Sequence, residues 1–465
     1  MEGSDSEGKQ EENGNNRNWD ELLHLFADVI AGDDDSLKVQ ALIKLAKMTR
    51  YAHEDILSRA VPILLNLLES PPSDHRVVIQ EASAHCLKCI AAQGEGTLAN
   101  FIGQLGAVPI ILRLLPDSVE GLQRAILKCL RNLVSFWFPN RLILASNSGL
   151  EIVLAMLSSC SDDSKLIILE IVSALSLLRE VRKSLWTSRR VHHLVEAARC
   201  GRLVSKTRAA QAIGLLGLIK RARRSLVDAG AVVALMDLLK FGDCNVKLIA
   251  ANALGVISSH VDHIRPIARA GVIPLYAELL QGSDHIGKEI AEDVFCVLAV
   301  YEENAVDIVE QLVEILGGDS VGAKAAAADV IWDLSSYKYS FPVLKNSGAI
   351  PILVGLLSDE NVEVRERVVG AVAQLSFNEV DREVLAGCGA IPLLIGMLED
   401  ELDELRDNAA EALVYFSLDP LHGDRVSCVL EHPCFWNMFD RVMQLRASDE
   451  HVDVSLWQTD VEQLI

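Results

Sequence analysis

The sequence predicts an all-α solenoid of about nine to ten stacked helical repeats. Three observations carry that expectation. One apolar phrase recurs: AVPILLNLL from Ala60, GAVPIILRLL from Gly106, GAVVALMDLL from Gly230, GVIPLYAELL from Gly271, GAIPILVGLL from Gly348 and GAIPLLIGML from Gly389. Most copies are followed by a small-residue helical segment: RAAQAIGLLG, IAANALGVIS, KAAAADVIWDLS, RVVGAVAQLS or NAAEALVYFS. Finally, 50% of the residues are apolar but only 5% aromatic, so Leu, Ala, Val and Ile supply the burial, as in helix-on-helix packing.

Each element of the repeat has a physical reason. Gly230 and Gly271 stand forty-one residues apart, as do Gly348 and Gly389, a period typical of stacked helical units. Glycine allows the positive φ of a sharp helix-to-helix turn. The prolines Pro62, Pro109, Pro274, Pro351 and Pro392 are expected at a first helical position, where a missing N–H does no harm. Apolar residues at i, i+3 and i+4 then make one buried stripe. The Ala-rich last helix allows close approach to its neighbours. Weaker copies of the phrase begin at Gly149, Arg190 and Val306.

The ends read differently. Residues 1–18 are expected to be a disordered acidic tail. The repeat domain then covers 19–446, with degenerate capping units at 19–58 and 434–446. Residues 447–465 form an acidic C-terminal tail, in which Val454, Trp457, Val461 and Leu464 fall on one helical stripe.

These motifs together resemble the armadillo repeat across residues 19–446. The resemblance implies three helices per repeat, a right-handed superhelix, and a concave groove lined by the third helices. It also implies a scaffold or adaptor that holds partner proteins as extended peptides or helices. Many copies of GAIPLL without an attached catalytic domain are most similar to plant armadillo proteins, here without a U-box. Substrate recognition within a ubiquitin-ligase assembly is the alternative, and would require a separate ligase partner.

A nuclear-import carrier is a third reading. Armadillo import receptors carry a Trp and Asn ladder on their third helices. The corresponding Asn slots here read Cys89, Asn132, Leu177, Leu215, Val256, Val297, Asp333, Gln374 and Tyr415. One amide of that kind does not make a ladder. A groove of the beta-catenin type, basic and suited to acidic or phosphorylated segments, has more support. Between Arg179 and Arg224 stand thirteen Lys and Arg against only Glu180 and Glu196. The expected partner-binding residues are Arg179, Arg182, Lys183, Arg189, Arg190, Arg208, Lys220, Arg221, Arg223 and Arg224. The polar slots Asn132, Asp333 and Gln374 join them. Solvated helix ends are the competing account of these cations.

Composition excludes much else. A formal charge of −22 disfavours general binding to nucleic acid or anionic membranes. No apolar run reaches membrane-spanning length. Ten cysteines without paired spacing suit a reducing compartment, cytoplasm or nucleus. Gly282–Lys288 has phosphate-loop spacing, but Glu289 stands where Ser or Thr should hold magnesium, and a helical pattern precedes it. His85, Cys86 and Cys89 lack a second ligand pair for zinc. The sequence therefore calls for no cofactor and no metal, and no enzyme activity is expected.

Overall fold

The computed structural model describes residues 19–70, 76–146, 148–187, 191–337 and 340–449. Among them there is no strand. Residues 1–18 and 450–465, with the apolar stripe of the C-terminal tail, lie outside the described residues. Residues 447–449, assigned to that tail, instead continue the last helix, Pro433–Asp449. The chain divides into two compact units, Met1–Ala231 and Val232–Ile465.

The local design is two short helices and one long one. Thr97–Gln104, Ala107–Leu114 and Glu120–Phe136 show it in the first unit, and Glu379–Gly387, Ala390–Met397 and Asp403–Ser417 in the second. The turn between the short helices rests on glycine. Gly106, Gly230, Gly271, Gly348 and Gly389 all take φ between 81° and 90°, which an L side chain adopts only under strain. Where the phrase begins at Gly149, the left-handed residue is Ser148 (φ 56°) and the helix starts one residue later.

Proline stands two residues deeper than expected. Pro109, Pro274, Pro351 and Pro392 are third, not first, in their helices. The reason still holds, because the first four N–H groups of a helix lack intrahelical partners. Pro62 departs further. Arg59 occupies the glycine position of its repeat, the chain does not break, and Pro62 falls inside one long helix, Glu54–Glu69. The same fusion occurs at Glu302–Leu316, where no glycine interrupts the segment. Without a left-handed residue, two short helices become one.

The long third helices form the spine of each unit. In the first, Arg76–Ala91, Glu120–Phe136, Asp162–Ser176 and Leu203–Gly217 pack one on the next. In the second, Cys244–Ser258, His285–Leu298, Val321–Leu334, Val362–Ser376 and Asp403–Ser417 do so, and Pro433–Asp449 packs on the last. Paired alanines bring them close: Ala209 and Ala210, Ala250 and Ala251, Ala409 and Ala410 are fully buried. A serine ends several of these helices. Ser176, Ser258, Ser335 and Ser376 are buried, and each Oγ donates to the carbonyl four residues back at 2.6–2.7 Å. Because the hydroxyl bonds within its own helix, it can lie against a neighbour without an unmet polar group.

The glycine turn yields a paired test. Gly389→Ala should lower stability by about 1 kcal/mol. Gly355→Ala, in a helix and facing open space, should raise it by up to about 1 kcal/mol. Urea midpoints followed by circular dichroism check the two opposite shifts.

Candidate protein-interaction surface

The expected groove slots are distributed over both units. The repeating end of each third helix fixes their register: the slot lies two residues before the terminal serine or its small counterpart. By that register Ala174, not Leu177, is the slot of Asp162–Ser176. Leu177 lies past the helix end and is exposed. Asn132 is buried, and its Nδ2 donates to the Lys88 carbonyl at 3.0 Å. Its amide therefore ties one third helix to the next. Asp333 is exposed and Gln374 half-buried, on the stacked helices Val321–Leu334 and Val362–Ser376. The Asp333 carboxylate accepts from Cys296 Sγ at 3.6 Å.

The basic stretch sits mainly on first helices. Arg179, Arg182 and Lys183 belong to Arg179–Thr187, and Lys220, Arg221, Arg223 and Arg224 to Lys220–Asp228. These two helices touch. Their cations are of two kinds. Arg182 Nη1 donates to the carbonyls of Ser176 and Leu177 at 2.8 and 3.1 Å. Arg223 Nε donates to the Gly217 carbonyl at 2.6 Å, and burial lowers its pKa. Both close the C-terminus of the preceding third helix, whose last carbonyls have no partner of their own. Arg382 does the same for Ser376 and Phe377, and Asn304 for Leu298. Arg182 and Arg223 are thus fold residues, at a six-residue offset that recurs. Arg179, Lys183, Arg221 and Arg224 are exposed. Arg208 lies instead on the third helix Leu203–Gly217, half-buried, and donates to Gln211 at 2.8 Å. Arg189 and Arg190 lie outside the described residues.

The third helices carry charge that sequence reading missed. Residues 1–231 hold 28 Lys and Arg against 26 Asp and Glu, while residues 232–465 hold 15 against 39. In the second unit, Glu292, Asp329 and Asp333 interact on adjacent third helices. Burial, then Asp329 and Asp333, push the Glu292 carboxyl up to about 7. Burial also raises Asp329 to about 6, against the pull of Arg367, which pairs with it at 3.4 Å. In the first unit the third-helix face is basic. Two adjoining clefts of about 670 and 470 Å3 lie on Asp35–Met48, Arg76–Ala91 and Glu120–Phe136, and share Ile43 and His85. Lys47, Arg50, Lys88, Arg124 and Lys128 line them, with Glu81 the one acid. Burial, then Lys88 and Lys128, lower the His85 pKa.

The motifs that suggest chemistry are used by the fold. Gly287 lies inside His285–Leu298 and donates its N–H to the Asp284 side chain at 3.0 Å. Lys288 Nζ donates to the Gly322 carbonyl at 2.5 Å. Cys86 is buried and bonded to the Leu42 carbonyl, whereas His85 beside it is exposed. Burial pushes the Cys86 and Cys129 thiols up to about 12. Among the described residues no three His, Cys, Asp or Glu side chains converge on a metal position.

Two outcomes follow from this geometry. Arg223→Ala should destabilise the protein by about 1–2 kcal/mol through a lost cap, whereas Arg221→Ala should leave the thermal midpoint almost unchanged. Glu292→Gln should stabilise the protein at neutral pH. A raised carboxyl pKa means that ionisation opposes folding. That penalty is small below the unfolded value of 4.5, grows up to the folded value of about 7, and is constant above it. The gap between variant and wild type should therefore open as pH rises from about 4.5 to 7, as denaturation midpoints at several pH values would record.

Comparisons with known proteins agree with this architecture. A family model described as HEAT repeats matches residues 309–414. The match begins inside the fused helix Glu302–Leu316, where the unit has two helices, the number typical of HEAT repeats. A crystal structure described as an engineered protein superposes with a TM-score of 0.65 at 22% identity, over 85% of this chain and 98% of that one. No curated protein matches the sequence. The chain is an all-α solenoid of helical repeats.

Proposed function

We propose that this chain is an armadillo-type protein-interaction scaffold that binds partners along its third-helix faces. One observation carries the reading. Buried positions repeat in kind along the third helices, as paired alanines and terminal serines, while the slot beside them runs Cys89, Asn132, Ala174, Leu215, Val256, Val297, Asp333, Gln374 and Tyr415. Packing fixes the first set and leaves most of the second free to encode recognition. The glycine turn between two short helices supports the armadillo type over a purely two-helix repeat. The mechanism is display on a rigid frame, with no catalytic step.

Acidic or phosphorylated segments are the proposed ligands of the basic first-helix pair. Arg179, Lys183, Arg221 and Arg224 are exposed there, and the planar arginine fork suits carboxylate and phosphate. Ten free thiols, Cys86 and Cys129 buried among them, support a place in the reducing cytoplasm or nucleus.

Affinity purification of the full chain with mass spectrometry tests the scaffold role. Ligase subunits or import carriers among the partners would select the adaptor or carrier versions, and failure to recover any reproducible partner would end the proposal. For partner chemistry, changing Arg179, Arg221 and Arg224 together to Glu should slow association several-fold at low salt, with the difference shrinking as screening grows. Equal association rates at low salt would remove the acidic-ligand assignment.

A further inference from the structure

We infer that the two joined clefts on Asp35–Met48, Arg76–Ala91 and Glu120–Phe136 form a docking groove for an acidic segment of another protein, one that also carries apolar side chains. The inference rests on the scaffold reading and gives it a site, distinct from the basic first helices at 179–187 and 220–228.

Three observations converge on that occupant. The first is unanswered charge. Lys47, Arg50, Lys88 and Lys128 line the clefts, and none forms an ion pair with another described residue. Arg124, the fifth cation, pairs only with Glu120, its neighbour on the same helix, at 3.1 Å. The second is proximity. His85 sits where the clefts meet, and after burial it is Lys88 and Lys128 that disfavour its charged form, with Glu81 the smaller opposing influence. Cations held this close repel one another, and a bound carboxylate relieves that repulsion. The third is exposed apolar surface among the charges: Tyr51 is 71% exposed, Val78 54% and Ile43 48%. A purely polyanionic ligand leaves these side chains in water, whereas a segment with alternating acidic and apolar residues covers them.

The surroundings argue against nucleic acid. Tracking a phosphate backbone needs a basic stripe over a broad surface, and the first unit as a whole is nearly neutral, 28 cations against 26 acids. Five of its cations line the clefts beside one acid, Glu81, a cluster whose size suits a short segment.

The test uses the full chain and fluorescence anisotropy at low ionic strength. The probe is a pool of short labelled peptides with Asp or Glu at fixed positions and Leu, Ile, Phe or Trp between them. Controls are the pool with Lys replacing the acids, and a short oligouridylate. Wild type should bind the acidic pool and not the lysine pool. Lys88→Glu with Lys128→Glu should weaken binding about tenfold or more, and so should Lys47→Glu with Arg50→Glu. Lys240→Glu, at an exposed cation outside both basic surfaces, should leave it unchanged. Unaltered circular dichroism and melting would show that each variant is folded.

Several results would overturn the groove. These are no binding of the acidic pool, equal binding by both cleft variants, or tighter binding of the oligouridylate. Binding that occurs only after residues 450–465 are removed would assign the groove to the chain's own acidic tail instead. Partners recovered by affinity purification that bind both cleft variants normally would defeat the groove and leave the scaffold standing. The absence of any such partner would defeat the scaffold itself.

Discussion

Everything in this fold depends on a helix that cannot cover its own apolar surface. Each third helix is apolar or small on more than one side, so it needs a neighbour in front and behind. Alanine pairs such as Ala250 and Ala251 permit the approach, and larger residues such as Leu254 and Ile257 fill the space between. The glycine turn follows from the same need. Two short helices must fold back beside the long one, and at Gly271 or Gly389 only a left-handed residue reverses the chain in so few positions. Where the turn is lost, at Glu54–Glu69 and Glu302–Leu316, the two short helices fuse and the long helix after them is kept. The third helix is the invariant of the repeat.

Stacking long helices side by side brings their C-termini to similar places in the repeat, each with carbonyls that nothing within the helix can satisfy. The first helix of the following repeat begins just beyond. A long side chain six residues after the carbonyl can fold back onto it, as Arg182, Arg223, Arg382 and Asn304 do. Arginine suits the place doubly, because a cation near a helix C-terminus is favoured by the helix dipole. Part of the arginine content of such a chain is therefore structural, and density of positive charge in the sequence overstates the charge available to a partner.

That distinction sets how far the sequence was legible. The phrase from Gly348 and the one from Gly389 announced helix, turn and helix, because local backbone geometry is written in local residues. Register at the weak repeat was harder. Leu177 looked like a slot, but Ser176 ends the helix, and a serine bonded to its own i−4 carbonyl is visible only once the helix end is known. Arg182 and Arg223 could not be separated from Arg179 and Arg221 by composition, since capping depends on direction. The basic clefts were the least legible feature. Lys47, Lys88 and Lys128 stand about one repeat apart in sequence, each in an unremarkable setting, and only stacking of the helices places them on one face.

The same geometry gives the net charge a different meaning. The −22 belongs to the second unit, which holds 39 acids against 15 cations, while the first is nearly balanced. Burial, and after it the neighbouring carboxylates, raise the pKa of Glu292 and Asp329 on the second unit's third helices, so that face carries a standing electrostatic cost. The basic clefts carry the mirror-image cost, felt at His85. Packing does not demand either arrangement, because both sets of charges lie on a side of the third helices that is exposed or half-buried, apart from the buried alanines and serines. A repeat fold leaves that side free of structural constraint, and screening limits each field to within about a Debye length of its own face. Each face therefore sets its own local field, positive at the clefts of the first unit and negative along the third helices of the second, whatever the net charge of the whole chain.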